Sequence, residues 1–340
     1  MITPVTGSLE AFDMSAPASL QEHSTFHLGC ELLARLREGS RISSYSDHQQ
    51  QLAMLRALRE AVDRQLDTHE NRFSTKLLAG QFDFVRHCVR THGLQLRGAC
   101  HLEIGSGASS PFARMFTHLL AGAQRAWCLE LDAIHDQAAA VRHLERIASD
   151  ALLDPRRLFG DYEVQPADVL GSLASFDVSK LAAGDWSGLN RDRLEFLQRS
   201  VVDTGLPDAS VDVVISNSVL EHLPDMDAAL AELARVTKRG GHAIHGIDVS
   251  DHRRYGNPSV HPLEFLGIES KEPILFNCNR LRLCQHEELL AKHGFRVLER
   301  WVDSTITVQP AVRSRLVPPW SLMRDEQLDT LWGLYVVRRE

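Results

Sequence analysis

The 340-residue chain lacks a basic excess: 37 Lys and Arg stand against 45 Asp and Glu, a formal net charge of −8. Proteins that hold phosphate backbones usually show the opposite balance, so nucleic acid is excluded as the expected partner. The six cysteines (Cys30, Cys88, Cys100, Cys128, Cys278 and Cys284) form no CxxC pair. Their scatter argues against a zinc site and a disulfide framework, and suits a reducing, cytoplasmic setting. The first twenty residues hold no Lys or Arg and no sustained apolar core, so no secretory signal is expected. No apolar run approaches the roughly 20 residues that span a bilayer, which removes the membrane as a partner. Repeats and low-complexity tracts are absent as well.

What is present is the composition of a folded protein, 44% hydrophobic and 24% charged. The length fits one large α/β domain with elaborations, or two modest ones. Residues 1–24 carry Pro, Gly and Ser without periodicity and read as a loose arm. Ser46 and Gln49 then show capping-box spacing before an apolar stripe at Leu55, Leu58, Val62 and Leu66. A second helix places Leu78, Phe82, Val85 and Val89 on one face and ends at His92-Gly93. Residues 1–95 are therefore read as an N-terminal arm and helical cap, and 96–340 as the main domain.

From residue 97 short apolar runs alternate with helical stretches. The runs are 99–104, 126–131, 211–215 and 242–247, and one helix runs from Met226 to Lys238 and stops at Gly240-Gly241. This alternation predicts a Rossmann-like, mostly parallel sheet with helices on both faces. FRVLERWV (295–302) and LWGLYVV (331–337) read as closing strands. Residues 133–198 exceed one crossover and are read as an insertion able to serve as a lid. The stretch 249–280 reads as an irregular loop over the carboxyl edge of the sheet, where ligands bind in such folds.

The chemistry is concentrated in HLEIGSGASS, 101–110. Gly105 and Gly107 fall between a strand and a helix, where backbone turns tightly and approaches a ligand. Ser110 stands where a dinucleotide fingerprint has its third glycine. Glu103, two residues before Gly105, suits a cation better than a pyrophosphate. Glu130 ends the second strand, where a carboxylate can accept both hydroxyls of a ribose. A ribose, an adenine and an ammonium without phosphate are the features of S-adenosylmethionine.

LEIGSG, CLELD and the run VVDTGLPDASVDVVISNSVLEHLPDMDAALAELARVTKRGG (201–241) together resemble the class I S-adenosylmethionine-dependent methyltransferases. The resemblance implies a seven-stranded sheet whose last strand is antiparallel. It also implies that Gly105, Ser106 and Gly107 line the methionine portion and that Glu103 helps hold that loop and the amino group. Glu130 is then the ribose ligand, with Leu131 against the adenine. Asp203 would accept from the adenine amino group beside Thr204, with Asp177 and Asp185 as rivals, and Asn217 would lie under the methionine end. Val211 replaces the family's frequent Phe, and the link from Asp203 to Pro207 is one residue short. Arg72 is a further candidate for the cofactor carboxylate.

For a hydroxyl acceptor a general base is needed, and His is the usual choice near neutral pH. Among 17 histidines, His222, His245 and His252 fall in or beside the predicted carboxyl edge. The segment 245–258, with Asn279 to Arg282, resembles a subgroup of methyltransferases found with polysaccharide or secondary-metabolite pathways. Two readings of it stay open. In one, His252 or His245 is the base, oriented by Asp248 or Asp251. In the other, Asp248, Asp251 and His252 hold a divalent cation such as Mg2+. Arg253, Arg254, Arg280 and Arg282 would surround the mouth with positive charge. The expected function is methyl transfer to an oxygen of a small molecule or sugar. An N-methyltransferase, a nicotinamide-dependent oxidoreductase and a non-catalytic cofactor-binding scaffold are the alternatives. A homodimer is compatible with the sequence and not specified by it.

Overall fold

A computed structural model describes residues 75–340. Cys30, Arg72 and the stripe at 55–66 lie outside the described residues. The first described helix, α1 (Thr75–His92), buries Leu78, Phe82, Val85 and Cys88, and Gly93 ends it at φ +69°. Val89 packs only at the margin, because Cys88 takes the core-facing place in the last turns.

Seven strands follow: β1 (Cys100–Ile104), β2 (Arg125–Glu130), β3 (Leu194–Gln198), β4 (Val211–Asn217), β5 (Thr237–Asp248), β6 (Phe295–Thr305) and β7 (Thr330–Arg339). They form one sheet in the order β3-β2-β1-β4-β5-β7-β6. β7 runs antiparallel to both its neighbours, and the pairs from β3 to β5 are parallel. The expected Rossmann-like sheet with a reversed last strand is what the chain forms. The order turns back on either side of β1 and β4, so the carboxyl ends of those strands open the crevice in which such sheets bind ligands.

One face of the sheet is covered by α1, α2 (Ala113–Leu120) and α3 (Gln137–Leu153), whose Phe82, Phe116 and Leu144 meet Val213, Ile215 and Ile244. The other is covered by α7 (Met226–Val236) and α9 (Leu283–Lys292), through Leu230, Leu233 and Leu290. Between β2 and β3 lie α3, α4 (Pro155–Phe159), α5 (Pro166–Ala174) and α6 (Val178–Ala182). These helices bury Val141, Phe159, Val169 and Leu181 in the same core as α1 and α2. The stretch expected as a lid is thus a lateral layer, and its last five residues are β3. LEFLQ escapes a hydrophobicity reading because it is an edge strand, only partly buried along most of its length.

α7 ends at Val236, two residues before the expected Lys238, and β5 begins at Thr237. The Thr237 hydroxyl donates to Leu233 O at 2.6 Å, which closes the helix before the Gly240-Gly241 pair. Beyond β5 the irregular stretch holds the short α8 (Arg253–Gly256). Its Leu263, Phe265 and Cys278 join Val312, Leu316 and Trp320 in a small third core, with α10 (Pro310–Arg313) and α11 (Asp325–Leu328) on the β6–β7 connection.

Candidate active site

The glycine turn after β1 is held by β2. Gly105 N–H and Ser106 N–H both donate to Leu129 O, at 2.8 and 3.2 Å. Glu130 Oε2 accepts from Gly107 N–H at 2.8 Å, and its Oε1 accepts from Leu131 N–H at 2.8 Å. Gly105 sits at φ +65°, and a Cβ there would meet Val219 Cγ2 at 2.3 Å, so only glycine lets the turn close against β4's exit. Gly107, at φ +81°, has open space where its side chain would be. Ser106 Oγ is buried and has no partner. An open backbone cradle beside an orphaned hydroxyl is what a polar ligand needs, and the residues therefore fit the expected cofactor.

Glu103 is buried under this turn and pairs with Arg114 of α2, Nη1 to Oε1, at 2.9 Å. Burial raises its carboxyl above the usual range, Arg114 opposes this, and the charge of Glu130 adds to it. The two carboxylates make the turn a place for positive charge, and Arg114 already neutralises one of them and donates to Gln81 of α1. Ser110 Oγ lies 2.7 Å from His143 Nδ1 on α3, which explains a serine where the dinucleotide fingerprint has glycine.

Leu131 is exposed beyond β2. Asp203 is exposed too, its nearest charge Arg199 at 3.8 Å. Thr204 corrects its expected role: both its N–H and hydroxyl donate to Glu232 Oε1 of α7, at 2.9 and 2.7 Å. The rivals Asp177 and Asp185 are corrected as well. They accept from Lys180 and Ser187 N–H as helix caps, before the amino end of β3. Asn217 ends β4 with its amide oxygen 2.7 Å from where a Cβ on Gly246 would stand, so its side chain lies across β5.

At the ends of β4 and β5 a second cluster forms. Asp248 Oδ1 accepts from Ser250 N–H and Oγ, at 2.9 and 2.6 Å, and Oδ2 accepts the Tyr255 hydroxyl. His252 Nε2 lies 3.6 Å from Asp248 Oδ2, and its ring stands edge-on to His222 at 5.0 Å and to Tyr255 at 5.5 Å. Burial lowers the His252 ring below its usual value, with Asp248 opposing and His222 assisting, which favours its neutral form. His222 Nδ1 sits 2.5 Å from Asn277 O. Glu221 is enclosed, accepts from Asp248 N–H at 3.1 Å, and leaves Oε2 without a partner. Tyr255, Glu221 and Val219 were not singled out by sequence as site residues. Glu221 had the one visible signal, a carboxylate beside His222.

Three expectations are overturned. His245 is completely enclosed, its Nδ1 2.8 Å from Ser216 Oγ, and burial holds it down to about 4. A ring with no surface cannot meet an acceptor. Asp251 is likewise sealed: Arg253 and the Phe265 N–H satisfy both of its oxygens. It does not converge with Asp248 and His252 on a cation site, so the residues do not fit Mg2+. Nor do three of the four arginines, Arg253, Arg280 and Arg282, form a free cationic rim, which leaves Arg254, stacked on the Tyr255 ring, at the mouth. Arg280 donates to Ile268 O and Ser270 O at 2.9 and 3.1 Å, Arg282 is buried against the carbonyls of Val249, Leu328 and Thr330, and Arg253 is paired with Asp251.

Residues 163–245, 83 of the 340, match the family described as Methyltransferase domain. The match spans β3, β4, α7 and most of β5, and begins after the glycine turn. Solved structures with a similar fold include the geranyl diphosphate C-methyltransferase from Streptomyces coelicolor A3(2). That one is 13% identical at a TM-score of 0.44, covering 77% of each chain. A geranyl diphosphate methyltransferase in complex with S-adenosylmethionine is 15% identical at 0.44, covering 82% of this chain and 90% of that one. The YcgJ protein from Bacillus subtilis is 14% identical at 0.39, covering 75% and 99%. At these values the structures are likenesses only. The family match marks residues 163–245, about a quarter of the chain, as similar to a methyltransferase domain. Among the described residues no helix is long and apolar enough to cross a membrane.

Proposed function

We propose that the protein transfers a methyl group to an oxygen of a small molecule or sugar, with His252 as the general base. The observation that carries this reading is the His252 ring standing 3.6 Å from a carboxylate that two hydroxyls already orient. Bound S-adenosylmethionine supplies a methyl group on a sulfonium, with its leaving group built in. Gly105, Ser106, Gly107 and Glu130 would hold it, with Leu131, Asp203 and Asn217 at its margins. The protein's main contribution is positioning, which is worth up to about 7–11 kcal/mol at the limit.

His252 accepts the acceptor's hydroxyl proton. Asp248 then stabilises the imidazolium, and Ser250 and Tyr255 keep Asp248 in place. Val219, beside Gly105, and His222, edge-on to His252, belong to one turn, so a single short element touches both the cofactor cradle and the base. An amine acceptor that arrives deprotonated would need no such base, and the Asp248–His252 pair favours a hydroxyl.

Calorimetric titration with S-adenosylhomocysteine, followed by methyl transfer assays over hydroxyl and amine acceptors, tests the reading. His252→Ala should lower kcat by about 100-fold or more with cofactor affinity unchanged. Equal turnover of the variant would move the base elsewhere, and transfer only to amines would overturn the oxygen assignment.

A further inference from the structure

On the face of the sheet that α1 covers, a cluster forms that the methyl-transfer site does not use. His87 Nε2 lies 2.9 Å, and His92 Nε2 2.6 Å, from the same oxygen, Glu299 Oε2 on β6. All three donor atoms fall within 4.8 Å of one another, which among the described residues marks this group as able to hold a metal ion. None of these three residues stands out in the sequence as a metal ligand. The two histidines lie more than 200 residues from Glu299 in the chain, and the docking of α1 on the edge strand brings them together.

The surroundings have the form of a metal site. The second oxygen of Glu299 accepts the Trp301 indole N–H, which orients the carboxylate from behind. Trp301 packs edge-on to Phe84 at 4.8 Å and to His87 at 5.2 Å, an apolar wall beside the donors. His242, only 6% exposed, hydrogen-bonds the His92 backbone through its ring and leaves Nε2 without a partner. A plain hydrogen-bonded clamp between helix and strand needs one imidazole. Here two imidazole nitrogens converge on one acceptor atom, and the second ring gains no acceptor of its own.

We infer that His87, His92 and Glu299 form a zinc-binding site, with water in the fourth position, that fastens α1 to β6. Two imidazoles and one carboxylate are a donor set of zinc, whereas Mg2+ and Ca2+ take oxygen ligands. Zinc bonds of about 2.0–2.2 Å in a tetrahedron put donors roughly 3.3 Å apart, so the two contacts need open by less than about 1 Å. That is within reach of side-chain torsions. The His87 side chain is 33% exposed, which gives the ion a way in. Glu299 pairs with Val336, which faces Ile244, four residues before Asp248. The site therefore lies roughly 13 Å down the sheet from the carboxyl edge, so its metal takes no part in the transfer.

The test uses the full chain, stripped with a chelator and titrated with Zn2+ and, for its absorption bands, Co2+. One equivalent should bind with the visible bands of tetrahedral cobalt, and zinc should raise Tm. Glu299→Gln and His87→Ala should each weaken zinc by about 100-fold, Trp301→Phe by about 10-fold, with S-adenosylhomocysteine affinity unchanged as the sign of intact folding. If the stripped protein binds no zinc, or the His87→Ala/Glu299→Gln double variant keeps wild-type affinity, the inference is overturned.

Discussion

Glu130 Oε2 accepts the Gly107 amide proton at 2.8 Å, so the end of β2 shapes the turn that follows β1. The same carboxylate is the expected ribose ligand, and these roles are compatible because a carboxylate offers about four acceptor positions. Glu130→Ala removes both at once. It should weaken S-adenosylhomocysteine by about 10- to 100-fold, the scale of one or two hydrogen bonds to a charged group. Glu130→Gln should fall between, since an amide oxygen keeps one acceptor. Calorimetry checks the order, and unchanged affinity in the alanine variant would remove Glu130 from the cofactor site.

Gly105→Ala tests the close approach of the two loops. The added methyl would meet Val219 at 2.3 Å, at a φ of +65° that itself costs about 1–2 kcal/mol for a residue with a Cβ. The variant should lose both Tm and cofactor affinity. Adding Val219→Ala should restore part of the Tm, because it relieves the clash and leaves the backbone strain. No recovery in the double variant would show that Val219 is not the obstacle.

The legible parts of this fold were those whose signals are local. The strands β1, β4 and β5 are apolar runs buried on both faces, and the glycines of the first turn mark the one place where backbone must bend under a ligand. β3 was hidden because LEFLQ pairs on one side only and keeps polar residues at its outer positions. The site was half legible for the same reason. Glu130 and Gly107 stand at predictable ends of neighbouring strands, but Asp251 meets the Phe265 amide and Arg280 the Ser270 carbonyl only after an irregular stretch has folded on itself. Charge that reads as available in the sequence, in Arg253, Arg280 and Arg282, is consumed by such contacts.

Arg114 is the counter-charge that keeps Glu103 in the core. Arg114→Leu would leave a buried carboxylate without its partner, a change that typically costs about 3–5 kcal/mol. The additional change Glu103→Gln should recover most of that, since the unpaired charge is gone. Chemical denaturation of the two variants gives the comparison, and a single variant as stable as the wild type would mean that the pair contributes nothing.

The pH dependence of stability should carry two opposed signatures. Burial holds the rings of His101 and His245 down to about 4 and that of His286 to about 3, against 6.5 for the free group. These depressed bases are neutral in the fold. Their contribution is complete above pH 6.5 and is lost as pH falls toward 4, where the unfolded chain binds the protons. Glu221 acts the other way. Burial pushes its carboxyl up to about 8, its own and the Asp248 amide oppose this, and the Asp248 charge adds to it. The folded state keeps that proton while the unfolded chain releases it near 4.5, so stability declines as pH rises from 4.5 to 8. Between pH 6.5 and 8 the histidine contribution is flat, and Glu221 is isolated. Unfolding free energies from urea titrations across that interval should fall by about 1 to 2 kcal/mol in the wild type, near 1.4 kcal/mol for each pH unit of one proton. Glu221→Gln, which keeps the shape and cannot ionise, should be level over the same interval and more stable than the wild type at pH 8. A decline of equal slope in the variant would place the titrating group elsewhere.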